Sequence, residues 1–557
     1  MKLKTIRPFT LLLLIGSLLA VSPTYSQNEE SKRDIVLPDV KIVGRKRFEF
    51  VLMGEKTAQV HKFKLPAHRS VGTKEPVGPD LLLDLSPKRV MPQSQWPRGK
   101  GLLTFRSEVG SFANLHLGAQ AGRERGRTGF ALTLGEHAQT AGHVDNSASR
   151  YEAIEALVAY NLPDRGDLSL RLGIEDGERE LWKAPPRPEE RRFRRWETHL
   201  AAALPLSRDI STTFGALLGT DEIADRNSSR RAEEIVVRAY GALDARWKGT
   251  LVRLAGTYEG VSLDQRTSEG TNHFLGVEAS AERVFDSVAL RGGIRTAYAD
   301  DYTTDGEYLV YPMGSLTYTS NARIQMALTF DPSAVPTTLW KMHETNPFLQ
   351  LDASTPVQEA PSVPIRTRKR PIALTLKLGA QIAEALSGAL RVGYEKVEHF
   401  PVWTDADTNG TWEVIPNREV TRKVASVRMT YERNPMLVLS SRFTVQQTEF
   451  SDTSQGHVPY VPSVTGHIEV GSEPRPGWGL SLSAQIVGPR FVEEGSDEKS
   501  DKKLNTYVLL AAQVSKRIAS HVHLFLRADN LLDQSYEVWE GYFMPRIGVY
   551  GGLKMVW

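Results

Sequence analysis

The chain has 557 residues, 40% of which are hydrophobic, and its formal net charge is only +3. This near balance of charge gives no indication of a nucleic-acid partner. The chain contains no cysteine, which excludes both a disulfide framework and a lipidated cysteine behind a leader.

The N-terminal segment, residues 1–26, has the pattern of a secretory signal peptide. Three basic residues within the first seven positions precede an apolar core from Phe9 to Val21, and small or polar residues follow as far as Ser26. This core is shorter than the roughly 20 residues that a membrane-spanning helix needs, which favours a signal peptide over a membrane anchor. We therefore predict export, with cleavage after Ser26.

Residues 27–97 form a second region with a different composition. They are rich in Pro, Lys and Arg and show little periodicity, apart from a β-prone stretch between Asp34 and Leu52. We predict a periplasmic N-terminal segment here, separate from the remainder of the chain at residues 98–557.

Residues 98–557 repeat one pattern, in which segments of about ten residues alternate apolar and polar positions between turn residues. In GTLVRLAGTY, Val252 and Leu254 lie on one face and Arg253 on the other. In PIALTLKLGA, Ile372 lies opposite Lys377. A period of two without a convincing helical stretch predicts an all-β fold.

Two all-β architectures fit this alternation: a soluble sandwich with an apolar core, or a membrane barrel whose apolar face meets lipid. The polar faces carry Arg, Lys, Glu and Gln on strand after strand, which suits a wet lumen. Trp and Tyr fall at segment ends, as in Trp247, Trp478 and Trp557, where a barrel places its interfacial girdles. These features favour the barrel.

The lengths of the connections support the same choice. Going back from the C-terminus, long and short connections alternate, and the longest predicted loops are Asp331–Arg368 and Phe400–Glu419. Outer-membrane barrels have short periplasmic turns and long extracellular loops, whereas a sandwich has no reason to sort its loops in this way. We predict a transmembrane antiparallel β-barrel of about 22 strands, with both ends of the chain on the periplasmic side.

The last stretch of the chain resembles the C-terminal end of TonB-dependent outer-membrane receptors. The matching positions are Asn530, Leu531, Leu532, Asp533, Tyr536, Glu537, Pro545, Arg546 and Trp557. The resemblance implies a cell outer membrane location in a Gram-negative-type bacterium, and binding or uptake of an unidentified ligand. It also implies that the barrel-assembly machinery recognises the amphipathic last strand through Leu553, Met555 and Trp557.

The chain departs from this family at its N-terminus. Receptors of the family carry a plug domain of more than 100 residues inside the barrel, whereas residues 27–97 leave room only for a plug remnant. Four possibilities are left for the lumen: it is filled by residues 27–97, filled by inward-folding loops, closed by a partner, or empty.

A segment that recruits the energy-coupling protein by strand addition is a further expectation from the resemblance. The candidate lies within Leu37–Arg47, and the alternative is an ordinary β-prone stretch. Its candidate residues are Leu37, Asp39, Val40, Ile42 and Val43.

One predicted outer loop has the spacing of a calcium loop. Oxygen-bearing side chains alternate there, with Gly410 available for the sharp turn. The candidate ligands are Asp405, Asp407, Asn409 and Glu413. Pro416 stands where the bidentate acid of such a loop is expected, and a plain polar turn is the alternative. We predict no other cofactor.

Three further features have simple interpretations. Pro185–Glu197 is predicted as a charge-dense outer loop, either solvated or paired with lipopolysaccharide phosphates. His521 and His523 are expected to face the lumen, without an evident third metal ligand. No nucleophile–base pair or phosphate-binding glycine loop stands out, so we do not expect an enzyme.

We therefore predict a receptor-like or transporter-like barrel, and the alternative is a passive pore or a structural scaffold without a plug. Lumen-facing basic residues are expected to set the ion preference of the passage. They are Arg238, Lys377, Arg428, Arg442 and Arg527.

Overall fold

The computed structural model describes residues 102–125, 128–140, 142–143, 147–162, 166–181, 189–226, 230–265, 268–301, 306–320, 324–351, 366–405, 411–434, 437–452, 457–492 and 502–557. The predicted signal peptide, the predicted N-terminal segment and the candidate coupling residues lie outside this part of the chain, so these three expectations stay predictions.

Almost every described residue belongs to a strand or to the connection between two strands. The first thirteen strands are β1 (Leu102–Gly110), β2 (Asn114–Arg125), β3 (Thr128–Thr140), β4 (Ser149–Asn161), β5 (Asp167–Leu181), β6 (Glu189–Pro205), β7 (Ile210–Asp225), β8 (Arg231–Trp247), β9 (Thr250–Gln265), β10 (Ser268–Phe285), β11 (Val288–Asp300), β12 (Glu307–Ser320) and β13 (Ile324–Phe330).

The second half of the chain contains twelve more strands and a short helix, α1 (Leu339–Thr345). The strands are β14 (Ser333–Val335), β15 (Arg368–Ala383), β16 (Leu386–Thr404), β17 (Glu413–Asn434), β18 (Leu437–Phe450), β19 (Val464–Arg475), β20 (Trp478–Val487), β21 (Arg490–Phe491), β22 (Lys503–Leu504), β23 (Tyr507–Ala519), β24 (Val522–Asp529) and β25 (Gly548–Val556). None of the described helices is long and apolar enough to span a bilayer.

The strands form one closed antiparallel sheet. Each long strand pairs with its neighbours in the chain, and β1 pairs with β25 from Thr104↔Val556 to Gly110↔Tyr550. Of the 23 strands in this sheet, β14 is a short addition at the outer end of β15, which leaves 22 spanning strands. The predicted fold class, an all-β barrel of about 22 strands, is confirmed, and no unpaired edge remains.

The outward face of the barrel is apolar. Val237 and Leu243 of β8 are exposed, whereas Arg238 between them points to the lumen. Trp247 and Trp478, each beside a short turn, are also exposed. A closed sheet with an apolar exterior and terminal aromatics is the surface that a lipid bilayer covers.

The connections of the second half of the chain sort by side of the membrane as predicted, whereas the contrast is weaker in the first half, where the outer connection 266–267 also has two residues. On the side of the chain ends they run from two residues, as at 248–249, to five, at 162–166. Lys248 and Gly249 both have positive φ, 48° and 80°, which is the tight hairpin geometry that glycine favours. On the outer side, by contrast, residues 331–367 connect β13 to β15.

Two predicted outer loops are wrong in their boundaries. The loop predicted at Phe400–Glu419 is shorter, because β16 continues to Thr404 and β17 begins at Glu413. The stretch Pro185–Glu197 was expected to be an outer loop, but from Glu189 onward it belongs to β6 and pairs with β5 and β7. The strands here extend past the lipid-facing zone, so charged residues stand on the barrel wall itself. Residues 182–188 lie outside the described part of the chain.

Candidate ligand-facing mouth and lumen

The outer mouth of the barrel is covered by its own loops. We call the inward-folded parts of five outer connections the loop cap, and they come from the second half of the chain. The loop cap comprises residues 331–351, 404–405 with 411–412, 457–463, 488–492 with 502–506, and 530–547. Many of its side chains are fully buried, which is the arrangement of a packed core and not of solvated loops.

Aromatic side chains form the centre of the loop cap. The Phe348 and Tyr542 rings stack at 3.7 Å between centroids, and the Trp412 and Trp539 rings lie 5.1 Å apart. The indole nitrogen of Trp412 donates a hydrogen bond of 3.1 Å to the Tyr460 hydroxyl. Because these residues come from four connections, each connection holds the others in place.

The backbone joins two of these connections directly. The Trp412 amide donates to the Phe348 carbonyl at 3.0 Å, and the Gln350 amide donates to the Trp412 carbonyl at 2.8 Å. These bonds form a short bridge between residues 331–351 and the turn before β17.

The wall opposite these loops is apolar where they meet it. At the outer ends of β4 to β9, lumen-facing positions carry Tyr151, Leu181, Phe193, Ile223 and Leu263, all buried in the same core cluster. Two smaller buried apolar clusters lie at the outer ends of β10 to β12 and of β16 to β18. The apolar patch therefore marks where the long loops of the second half pack against the first half.

A buried ion pair attaches the loop cap to this wall. Arg191 of β6 is 1% exposed and binds both carboxylate oxygens of Asp225, at 2.7 and 3.0 Å. Its remaining donors reach the carbonyls of Pro347, at 3.0 Å, and Leu349, at 2.5 Å. A guanidinium satisfied by a bidentate carboxylate and two carbonyls is among the strongest polar contacts available to a protein.

A second buried carboxylate holds the start of α1. Glu234 of β8 accepts a hydrogen bond of 2.7 Å from the Leu339 amide. The Thr338 hydroxyl accepts from the Lys341 amide at 3.3 Å. These acceptors take up the free N–H groups of the first turn, so α1 is fixed against the wall although it has only seven residues.

His343 of α1 is buried among aromatic rings, with Phe193 at 5.2 Å between ring centroids and Trp340 at 5.9 Å. Burial, reinforced by the positive charges of Arg191 and Arg179, lowers the pKa of His343 well below its ordinary value of 6.5. The ring is therefore neutral at neutral pH. Burial likewise raises the pKa of Tyr460.

The lumen below the loop cap is lined by charged side chains. On β5 to β11 the basic side chains pair with acids, as in Arg238–Glu259 at 2.6 Å and Arg291–Glu278 at 2.5 Å. Near the closure of the barrel, Arg527 binds Glu108 of β1 at 2.7 Å.

The other three predicted lumen cations, Lys377, Arg428 and Arg442, lie on the polar inner face of β15 to β18. Arg428 and Arg442 are register partners, and Lys377 is the register partner of Arg391. All five side chains that were predicted to face the lumen occupy that face. The structure adds Arg391 to them.

The exterior carries a row of charge directly above the lipid-facing zone. Across β4 to β8 one register row reads Glu152, Asp176, Arg194, Glu222 and Glu233. The row below it begins with Ile154 and Ile174. Arg150, Arg192 and Arg231 lie next to this row, and we call the eight charged residues the charged collar; Arg192 pairs with Asp176 at 2.7 Å, and Arg231 with Glu233 at 2.7 Å.

The predicted calcium loop remains untested. Of its candidate ligands, Asp405 directly follows β16 and Glu413 begins β17, but Asp407 and Asn409 fall outside the described residues. Among the residues that are described, no group of three His, Asp or Glu side chains is arranged to hold a metal ion.

His523 faces the lumen, where its register partner is Lys554. His521 does not face the lumen as expected, because it lies in the turn before β24 and contacts the Val556 carbonyl at 2.9 Å.

The C-terminal residues close the barrel. The Trp557 amide donates to the Leu103 carbonyl at 2.9 Å, and the Leu103 amide donates to the Trp557 carbonyl at 3.0 Å. Trp557 is 50% exposed on the outward face, which it shares with Leu553 and Met555. Asn530 anchors the preceding loop through a bond of 2.8 Å to the Gln534 carbonyl.

Solved structures with this architecture are transporters and receptors. The chain is similar to the copper transporter OprC, with 14% identity and a TM-score of 0.65 over 83% of this chain and 82% of that chain. It is similar to the FrpB iron transporter from Neisseria meningitidis, with 10% identity and a TM-score of 0.66 over 82% and 81%.

A third similar structure is the ferric-catecholate import receptor Fiu from K12 E. coli, with 11% identity and a TM-score of 0.64 over 83% of each chain. No family model matches the sequence, and no curated protein matches it. The barrel has the fold of TonB-dependent outer-membrane receptors. None of these three structures is named as an enzyme, in agreement with the sequence prediction.

Inward-folding loops were one of the four possibilities left open for the lumen, but the residues that form the loop cap and its anchors were not predicted from the sequence. The signal that indicates them is the loss of alternation at the outer ends of β5 to β7, where lumen positions become apolar or carry an arginine. Leu181, Phe193 and Ile223 are lumen-facing residues of this kind. A strand that is apolar on both faces at one end predicts something packed inside the barrel there.

Proposed function

We propose that this protein is an outer-membrane receptor that binds a ligand at its outer mouth and admits it to the periplasm. The observation that carries the proposal is the barrel fold, which it shares with metal transporters and an import receptor for a ferric catecholate. The loop cap is the second support, because a passive pore has no use for a closed outer mouth.

The loop cap has the properties of a closure that can open. Within the described part of the chain, the buried indole N–H groups of Trp403 and Trp539 have no hydrogen-bond partner. A buried donor without a partner costs about 1–3 kcal/mol. We propose that a ligand which accepts hydrogen bonds from these groups is stabilised at the loop cap.

By analogy with the similar transporters, the ligand is proposed to be a metal ion or its chelate. The test compares the iron and copper content of cells that lack the gene with that of complemented cells, under limitation for each metal. We expect the deletion to lower the content of one metal several-fold and complementation to restore it. Unchanged content of both metals would exclude metal uptake.

Energy coupling is proposed to act through the segment Leu37–Arg47. Pull-down with the periplasmic domain of the energy-coupling protein tests it, with the full chain and with a chain that lacks Asp34–Arg47. We expect binding by the full chain and its loss on deletion. If the chain without Asp34–Arg47 still binds the energy-coupling protein, this segment has no role in coupling.

Lipopolysaccharide is proposed as the partner of the charged collar, because the collar lies where the headgroups of the outer leaflet begin. Arg150 and Arg231 have exposed side chains that pair with collar carboxylates. Replacing both by glutamine is expected to reduce the lipopolysaccharide retained by the purified protein. Equal retention by the wild type and the variant would contradict this contact.

A further inference from the structure

A buried guanidinium in the loop cap lacks a carboxylate that balances its charge. Arg490 belongs to the short strand β21, between the end of β20 and the start of β23, and it is only 2% exposed. One of its terminal nitrogens donates to the Glu537 carbonyl at 2.8 Å. In the part of the chain that the structure describes, its Nε–H has no hydrogen-bond partner, and the guanidinium forms no ion pair.

The carboxylate of Glu537 does not serve as that partner. Its charge acts on Arg490, but its Oε2 accepts from the Gly541 amide at 2.6 Å. Burial lowers the pKa of Arg490 from its ordinary value of 12.5, yet an arginine stays charged at neutral pH. The loop cap therefore holds a positive charge that is removed from water and has no ion-pair partner among the described residues.

Other buried arginines of the outer mouth show how such a charge is balanced. Arg191 binds both carboxylate oxygens of Asp225, and Arg370 lies 3.5 Å from a carboxylate oxygen of Glu395. Removing an ion from water has a high cost, which its partners must offset. Arg490 is short of an anionic partner of this kind, and a bound ligand can supply one.

A second donor without an acceptor lies beside the guanidinium. Tyr507 begins β23 and is 1% exposed, and its ring centroid lies 5.1 Å from the guanidinium carbon of Arg490. Its hydroxyl has no hydrogen bond of ordinary geometry to any described residue. The Tyr536 ring packs against Tyr507 at 4.6 Å between centroids. Buried polar groups without partners are rare in native proteins.

The two donors have the chemistry that binds an oxyanion. A guanidinium binds carboxylate and phosphate oxygens through charge-assisted hydrogen bonds. A phenol beside a guanidinium accepts from it at most, so the O–H proton of Tyr507 is left to donate to a third group. Together, the Nε–H of Arg490 and this O–H provide two donors toward one negatively charged group.

We propose that Arg490 and Tyr507 form a binding site in the loop cap for an oxyanion group, carboxylate or phosphate, of the ligand. This inference deepens the proposed uptake function and rests on it. It assigns the ligand to a chemical class: an anionic molecule, such as a metal chelate with a free oxyanion group. A bare metal cation is excluded from this site, because the charge of Arg490 repels it.

The test is isothermal titration calorimetry on the full chain in detergent, with citrate and inorganic phosphate as probes. The two probes separate carboxylate from phosphate recognition, and a constant ionic strength keeps general screening the same in every titration. We expect saturable binding of at least one probe. A wild-type protein that binds neither probe would overturn the proposal.

The most specific variant is Y507F, because it removes one donor and keeps the ring that packs on Arg490. Loss of one hydrogen bond to a charged group is expected to weaken binding about tenfold. The matched control is Y151F, which changes another buried tyrosine of the barrel wall, on β4, and it is expected to bind within about twofold of wild type. Equal affinities for wild type and Y507F would exclude Tyr507 from the site.

The charge of the site is tested with R490Q. This variant is expected to weaken binding about a hundredfold or more, because it removes the ionic partner of the anion. Its control is R226Q, which removes an exposed arginine at the rim that pairs with Glu190 and is expected to have an effect of about twofold or less. An unchanged affinity of R490Q would overturn the proposal.

Hydrogen exchange distinguishes ligand binding from a structural role. If Arg490 only holds the connection 530–547 through the Glu537 carbonyl, neither probe changes the protection of residues 536–542. We expect a saturating concentration of the bound probe to increase this protection in the wild type and to leave it unchanged in R490Q. Unchanged protection in the wild type would assign Arg490 to the fold alone.

The outcome also separates this inference from metal uptake. Anion binding through Arg490 without any effect of the gene on metal content would retain this inference and overturn metal uptake. Metal content that depends on the gene, in a protein that binds neither probe, would do the reverse.

Discussion

Single residues decide whether the outer mouth stays closed. Arg191 provides donors both to Asp225 and to two carbonyls of the loop cap, so one side chain connects the wall to the loops. The sequence already shows an arginine-rich stretch here, but consecutive arginines of one strand face opposite sides. Arg192 lies on the exterior beside Asp176, whereas Arg191 is buried inside.

Arg191→Met is expected to loosen the loop cap. Removing one partner of a buried ion pair leaves Asp225 uncompensated, which costs about 3–5 kcal/mol. Hydrogen exchange of residues 339–351 is expected to accelerate strongly while the spanning strands stay protected.

The control for Arg191→Met is Arg226→Met at the same rim. Arg226 is exposed and binds Glu190 in solvent, and pairs of that kind contribute little. Equal protection of α1 in wild type and Arg191→Met would contradict the anchoring role of Arg191.

We expect His343 to make the stability of the closed loop cap depend on pH. Its pKa in the closed cap lies well below 6.5, the value it regains when the cap opens and water reaches the ring. The open form therefore binds more protons, and stability of the closed form falls as pH drops below about 6.5. The loss continues until the pH reaches the depressed pKa of the closed state.

Protection of α1 from hydrogen exchange is accordingly expected to fall between about pH 6.5 and pH 5, after correction for the intrinsic exchange rate. His343→Gln, which cannot titrate, is expected to remove this part of the pH dependence even if it lowers protection at every pH. A wild-type profile that stays flat over this range would exclude the switch.

At the scale of elements, strands and loops obey different rules. Each strand is specified by its own alternation, and the register follows from which face is apolar. No comparable local sequence pattern specifies how the loops of the loop cap pack. Their burial depends on contacts between distant connections, such as Phe348 with Tyr542 and Trp412 with Tyr460.

Replacing residues 332–366 with a short Gly–Ser linker is therefore expected to open the mouth without unfolding the barrel. The described part of the replaced segment contains β14 and α1 but no spanning strand. Planar-bilayer recordings are expected to show little current for the full chain and a larger, frequent conductance for the variant. A large steady current through the unaltered protein would instead support the passive pore.

At the scale of the whole molecule, closure of the barrel joins the two ends of the sheet. β1 and β25 are separated by more than 430 residues along the chain, yet they pair along their length. This contact has a high entropic cost until the intervening strands are in place. We propose that an assembly machinery recognises the terminal strand, which would reduce the dependence on unaided closure.

Trp557→Ala is expected to lower the yield of assembled barrel, measured as the fraction that migrates faster on unheated gels. Trp478→Ala, which removes an equally lipid-facing aromatic beside Lys516, provides the control and is expected to have a smaller effect. If Trp478→Ala lowers the yield of assembled barrel more than Trp557→Ala does, the terminal residue has no special role in assembly.

The barrel, its strand number, its loop asymmetry and its lipid-facing side were determined by the sequence alone. They depend on local alternation of period two, and every strand repeats the same information. The lumen-facing arginines were predictable for the same reason, because successive side chains of a strand point to opposite faces of the barrel wall. The terminal aromatic needed no tertiary information either.

Only the tertiary structure decided what closes the mouth and how charge is distributed in the lumen. The loop cap combines five connections that are far apart in sequence, and its anchors Arg191 and Glu234 belong to strands of the other half. Register places Lys377 beside Arg391 and Arg428 beside Arg442 on the lumen face. Such contacts depend on closure and register, which a single strand does not encode.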